Sequence, residues 1–308
     1  KCSKLKELYL SCADTYEGVD EIAELSDLKS LYMNGVTLSQ CDFLKKIPQL
    51  EELSMQVGDD ADLSILTYLP NLRKFDTIMD ADGVSIDQLS VLTKLESLRV
   101  TVNNKEDFLR LTQLKNLKAL RVYASFEEMD ERYHYLPIDI SVFSQLPQLE
   151  QLQIRVSNMG GVCGVESILN MPTIKTCAIE AVIPGKKLWL DTELLVDNPN
   201  LATFCMKDLS VGDVVTKEEE TFDFLSHYPN MNELWLVSSD LTDISFVSAL
   251  TNLERCDFED NDITDYSPLS NCKKLEYLCV GLFGSNAVPD MPKDVEVVQD
   301  VHWFNIEL

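Results

Sequence analysis

An apolar residue at the first, fourth and sixth place of a short segment recurs twelve times, and no feature of this chain limits its fold more. The triplets are Leu5-Leu8-Leu10, Leu28-Leu31-Met33, Leu50-Leu53-Met55, Leu72-Phe75-Thr77, Leu95-Leu98-Val100, Leu117-Leu120-Val122, Leu149-Leu152-Ile154, Ile174-Cys177-Ile179, Leu201-Phe204-Met206, Met231-Leu234-Leu236, Leu253-Cys256-Phe258 and Leu275-Leu278-Val280. Their first positions lie 23, 22, 22, 23, 22, 32, 25, 27, 30, 22 and 22 residues apart. Each unit reads as one short strand and a return segment, too small to bury its apolar side alone, so the units must stack. Stacking sets the strands side by side, about 4.8 Å apart, as a parallel sheet. The triplet residues then point into the core and those between them point outward.

Three residues before most triplets stands another apolar residue: Leu25, Ile47, Leu69, Leu92, Leu114, Leu146, Met171 and Leu250, with Cys2 and Cys272 in the same place. The eleventh unit ends on the phrase Asn261, Ile263, Asp265, Pro268 and Leu269. Over residues 2–300 this frame resembles the leucine-rich repeat family, and its 22-residue period resembles the bacterial internalin-like class. The resemblance implies an α/β repeat solenoid, a horseshoe or arc with about twelve parallel strands on its concave face. The internal asparagine of that family is clear only at Asn261, with Ser or Asp near that place elsewhere, so a continuous asparagine ladder is not expected.

The solenoid is expected over 1–280, with a divergent last strand and C-terminal cap over 281–308, in which Val295–Val298 forms the strand and Trp303 and Phe304 cover the core. Two long units interrupt the period, with insertions expected near 123–140 (centred on 126–135) and 207–222 (centred on 211–220). The chain starts inside a repeat and without Met, so further residues are expected upstream.

Chemistry is harder to find. His134, His227 and His302 fall in different repeats or insertions, and no HExxH, GxSxG or GxxxxGK[ST] string occurs, so no enzyme, catalytic residue, cofactor or metal site is expected. Asp80-Ala-Asp82-Gly83 fails as a calcium loop because Ile78 and Leu89 fall on ligand places. Asp59, Asp60 and Asp62, and Glu259, Asp260 and Asp262, read as solvated turns, with loose calcium binding as the alternative. Gly160-Gly161-Val-Cys163-Gly164 resembles a flexible loop holding a thiol, without a neighbouring group to activate it. Cys177 and Cys256 take core places. Cys177 with Cys205, and Cys256 with Cys279, face opposite ways and cannot bridge.

With 26 basic and 52 acidic residues the net charge is −26, which argues against nucleic-acid partners, and no apolar run is long enough to insert in a membrane. Nine cysteines without a CxxC marginally favour a reducing, cytoplasmic setting; the family resemblance implies a bacterial surface or host-contact role. The outward third, fifth and seventh places, 36 residues in all, hold Tyr9, Tyr32, Tyr123, Tyr277, Trp235, Arg99, Arg121, Arg155 and Arg255. These are nine of the chain's 20 Trp, Tyr and Arg residues, where about 2.3 are expected by proportion (20 × 36/308). Such residues dominate protein interfaces. The expected function is protein binding on the concave face, through Arg99, Arg121, Tyr123, Gln153 and Arg155 with Tyr9, Tyr32, Trp235 and Tyr277, to a partner with an acidic patch. An intracellular regulatory scaffold, or the recognition segment of a longer enzyme, would use the same face. The alternative for the aromatics is β-propensity, and for the arginines pairing with acids in the insertions.

Overall fold

The computed structural model describes residues 4–11, 18–38, 41–57, 63–77, 86–213, 221–280 and 291–298. Cys2, the acidic groups at 59–62 and 80–83, Gly281–Pro289, residues 214–220 of the second insertion, and Trp303 with Phe304 lie outside them. The chain divides into two compact units, Lys1–Phe126 with Gln145–Leu149, and Glu127–Ser144 with Glu150–Leu308.

The first unit stacks six parallel strands: β1 (Glu7–Ser11), β2 (Ser30–Thr37), β3 (Glu52–Gln56), β4 (Lys74–Asp76), β5 (Ser97–Val102) and β6 (Ala119–Ala124). The fourth-place residues form one row, Leu8, Leu31, Leu53, Phe75, Leu98 and Leu120, each register-paired with the next. From Leu31 onward they are at most 1% exposed. A slip of one residue would turn this whole row to the other face, and that fixes the register. The 22-residue period leaves little chain for the return, which is made of short 3-10 helices such as Asp42–Lys46 and Ile86–Val91. The fifth repeat instead forms α1 (Lys105–Arg110), capped by Asn104, whose side chain accepts from the Asp107 N–H at 2.8 Å.

The second unit holds β7 to β17. Seven strands form a parallel sheet: β8 (Gln151–Val156), β10 (Thr176–Ala181), β12 (Thr203–Lys207), β14 (Glu233–Val237), β15 (Arg255–Asp257), β16 (Tyr277–Cys279) and β17 (Glu296–Val298). Their inward row is Leu152, Cys177, Phe204, Leu234, Cys256, Leu278 and Val297. Strand β17 is the divergent last strand read at 295–298, so the described solenoid strands number thirteen.

A second sheet is present where the sequence suggested loops. Strands β7 (Ile138–Asp139), β9 (Val162–Cys163), β11 (Lys186–Leu190) and β13 (Leu209–Asp213) pair in parallel, and Ile138, Val162, Leu188 and Val211 form a row at most 3% exposed. This corrects two expectations. Cys163 lies in a paired strand, not a flexible loop, and Val211–Asp213 belongs to β13 rather than to an insertion. The glycines beside Cys163 allow close approach: a Cβ on Gly160 would stand 2.1 Å from the Leu136 carbonyl oxygen, and one on Gly161 2.2 Å from that of Lys187. Trp189 donates its indole N–H to the Gly160 carbonyl at 3.1 Å, closing the same contact.

The other insertion does follow its strand. Met129 and Tyr135 form an antiparallel bridge, and the Asp130 carboxylate accepts the Arg132 and His134 N–H groups at 2.8 and 2.9 Å. Tyr133 at its tip is 83% exposed. Among the described residues no helix is long and apolar enough to cross a membrane.

Asparagine does two jobs. Asn261, 4% exposed, donates to the Leu236, Phe258 and Glu259 carbonyls at 2.7–3.1 Å and accepts the Ser239 and Leu241 N–H groups at 2.9 and 3.1 Å. Ser239 fills the equivalent place one repeat earlier, as the sequence implied. An unforeseen series stands immediately before the triplets: Asn71, Asn116, Asn200, Asn230 and Asn252 each donate to a carbonyl of the preceding return segment.

Candidate outward-face binding site

Strand alternation turns the third, fifth and seventh places of each repeat to one side of the sheet. In the first unit Tyr9 and Tyr32 stack with ring centroids 4.3 Å apart and planes 3° from parallel, and Tyr9 stays 66% exposed. Tyr32 donates to the Glu52 carboxylate; burial, then that bond, pushes its phenol well above the ordinary tyrosine range. Further along, Arg99 on β5 and Arg121 on β6 are register partners, as are Thr101 and Tyr123. Arg121 is half-buried, and burial followed by the Arg99 charge lowers its guanidinium below its usual value, with Asp76 opposing.

The second unit places Gln153 and Arg155 on β8, Trp235 on β14 and Tyr277 on β16. Arg255 lies over the Tyr277 ring at 4.5 Å. Gln153 is only 8% exposed, and its fifth-place neighbours Ala178, Cys205, Asp257 and Cys279 are 0–4% exposed. Facing outward and being exposed are therefore different properties here, and of this column Trp235 alone is half-exposed among the second unit's described strands β8 to β16.

Three of the four arginines lie beside acids of the face itself. Arg99 lies 3.5 Å from Asp76 on β4, Arg155 3.5 Å from Glu180 on β10, and Arg255 3.6 Å from Glu233 on β14. Such half-exposed pairs contribute about 0–1 kcal/mol each. Burial raises the Glu180 carboxyl, with Arg155 and Lys207 pulling it back.

Glu259 does not lie in a solvated turn. It is 6% exposed, whereas Asp260 and Asp262 are exposed. Its carboxylate converges with Asp257 and Cys279, with donor atoms within 4.8 Å of one another. These are fifth, seventh and fifth places of adjacent repeats, a combination visible in the register but not sought there.

The seven described cysteines, Cys41, Cys163, Cys177, Cys205, Cys256, Cys272 and Cys279, are free thiols. Cys177 pairs in register with Phe204, and Cys205 with Ala178, so the two sulfurs take opposite faces as expected. The same holds for Cys256, opposite Leu278, and Cys279, opposite Asp257. Burial pushes Cys41 and Cys177 up to about 12 and Cys272 to about 11, and Cys205 and Cys256 well above the ordinary thiol value. Since the thiolate is the reactive form, alkylation of the folded protein at neutral pH is expected to spare these five until denaturant is added. Half-buried Cys163 is expected to react first among the described thiols. Mass mapping of modified peptides checks this, and rapid native labelling of Cys177 or Cys256 would contradict it.

Comparison with known proteins identifies the fold. The sequence matches no protein-family model and no curated protein. Among solved structures, an internalin (inlF) from Listeria monocytogenes matches at TM-score 0.52 and 16% identity, over 92% of this chain and 83% of that one. The Rad7–Elc1 complex of yeast matches at TM-score 0.61 and 14% identity, over 96% and 81%. A TLR13 complex with single-stranded RNA matches at TM-score 0.57 and 20% identity; this chain is 93% covered and spans 40% of that protein. With the stacked 22-residue units, these likenesses give a leucine-rich repeat fold.

Proposed function

We propose that this leucine-rich repeat chain is a non-catalytic binding module that takes a protein partner on the outward face of its parallel sheet, with a carboxylate-bearing surface meeting Arg99 and Arg121. The observation that carries this reading is the lateral pairing of those two arginines in a protein of net charge −26. Like charges directly opposite on neighbouring strands are unfavourable, and the Asp76 carboxylate bears on both guanidinium groups. A carboxylate laid across both guanidinium groups would relieve the repulsion through charge-assisted hydrogen bonds. Tyr123, two places beyond Arg121, and the Tyr9–Tyr32 stack supply aromatic surface of the type that anchors interfaces. Arg155, Gln153, Trp235 and Tyr277 are assigned as contacts on the face of their own unit, with Gln153 the least accessible. The acidic charge supports a protein over a nucleic acid, because phosphate binding depends on an excess of Lys and Arg.

Affinity capture from host-cell extract and native lysate, comparing the parent with an Arg99→Glu/Arg121→Glu variant of unchanged circular dichroism, tests the reading. A protein retained by the parent is expected to lose at least about tenfold in affinity in the variant and to weaken with added salt. Equal binding to both forms would refute the arginine site. Tight binding of a single-stranded RNA probe would refute the partner class.

A further inference from the structure

On the outward face of β15 and β16, two carboxylates and a thiol meet in a place that interface chemistry does not explain. Asp257, Glu259 and Cys279 are 4%, 6% and 0% exposed, which removes them from direct contact with a partner. Their terminal oxygen and sulfur atoms all lie within 4.8 Å of one another. The convergence follows from the register. Asp257 and Cys279 are direct partners across the ladder, and Glu259 follows Asp257 by two residues, in the turn that leaves β15.

The backbone that carries Glu259 is held rigidly. Its N–H donates to the Asp257 carboxylate at 2.9 Å, its carbonyl accepts from the Ser238 N–H at 2.9 Å and from the Asn261 amide at 3.1 Å, and Asp260 turns the chain with φ 56°. The neighbouring cation on this strand, Arg255, is turned to Glu233 and stacked on Tyr277.

We propose that Asp257, Glu259 and Cys279 form a site for a divalent transition-metal ion, with Zn2+ the best match to the donors. The sulfur sets this apart from a group of surface acids. A thiolate favours zinc and its neighbours over Ca2+ or Mg2+, and three protein ligands with a fourth place for water is an ordinary zinc arrangement. Bonds of about 2.0–2.3 Å set tetrahedral donor atoms about 3.5 Å apart, so side-chain rotation of about 1 Å closes the present spacing around an ion. On binding, the Cys279 thiol releases its proton to solvent and the sulfur lone pair forms the metal bond. The ion would bridge two adjacent repeats.

Titration of the chelator-stripped full chain with Co2+ and then Zn2+ tests this. Cobalt is expected to bring up a thiolate-to-metal charge-transfer band in the near ultraviolet at one equivalent, which Zn2+ displaces. Cys279→Ser should abolish the band and weaken Zn2+ at least 100-fold, Asp257→Asn should weaken it at least tenfold, and Cys163→Ser should leave both unchanged. X-ray absorption of the zinc-loaded parent, which depends on no variant folding, should give one sulfur with oxygen ligands. The absence of a band, its survival in Cys279→Ser, or a zinc shell with no sulfur or with several would overturn the assignment.

Discussion

Asn261→Ala is expected to lower the stability of the second unit by about 3–5 kcal/mol, far more than one exposed hydrogen bond would. The side chain satisfies three carbonyls and two N–H groups of two successive repeats, all belonging to residues at most 6% exposed. Each buried group left unmatched costs about 1–3 kcal/mol, and a water entering the vacated space recovers part of the sum. Asn252→Ala is the natural comparison, because that amide makes only exposed bonds, donating to the Pro229 carbonyl at 2.9 Å and accepting from Lys274 Nζ at 2.8 Å, and their loss should cost about 1 kcal/mol or less. Denaturant melts followed by native-state hydrogen exchange around β14 and β15 would measure both. A loss below about 1 kcal/mol for Asn261→Ala would mean that the loops hold themselves without it.

Gly161→Ala should be comparably severe by a different route. The residue has φ 82°, a region that costs an L-residue about 1–2 kcal/mol, and its new Cβ would stand 2.2 Å from the Lys187 carbonyl oxygen. That oxygen belongs to β11, so the backbone of the small sheet must give way, and a total of about 3 kcal/mol or more is expected. Gly185 separates the two causes. Its φ is 73°, yet an added Cβ would meet nothing within 4 Å, so Gly185→Ala should show the backbone cost alone. Equal losses in the two variants would show that the approach to Lys187 relaxes without penalty.

The main sheet was legible because its signal is redundant. Twelve triplets fix strand place, facing and register together, and Cys177 and Cys256 occupy their core places at 0% exposure as the pattern demands. The small sheet was not legible because two-residue strands such as β7 and β9 carry almost no periodicity of their own; their only trace was the lengthening of the sixth to ninth repeats. Ion pairs were misjudged for a related reason. Pairing was expected with acids of the insertions, while Arg99 and Arg155 meet Asp76 and Glu180 on the strands beside their own. The Asp257–Glu259–Cys279 meeting was hidden because Glu259 read as solvated and Cys279 only as a failed disulfide. The repeated Asn before Leu or Met, as in Asn71, Asn116 and Asn252, was readable and went unused.

The second sheet makes repeat length a shared property of neighbours. From β8 to β9 the chain crosses residues 157–161, from β10 to β11 residues 182–185, and from β12 to β13 only Asp208, held at φ 58°. Both ends of each crossing are paired residue by residue with an adjacent repeat. A gene could add or drop a plain 22-residue cassette without disturbing any other. A single codon gained or lost within these crossings would slip one sheet against the other, so the stretch from Ile138 to Asp213 is expected to be inherited as a block.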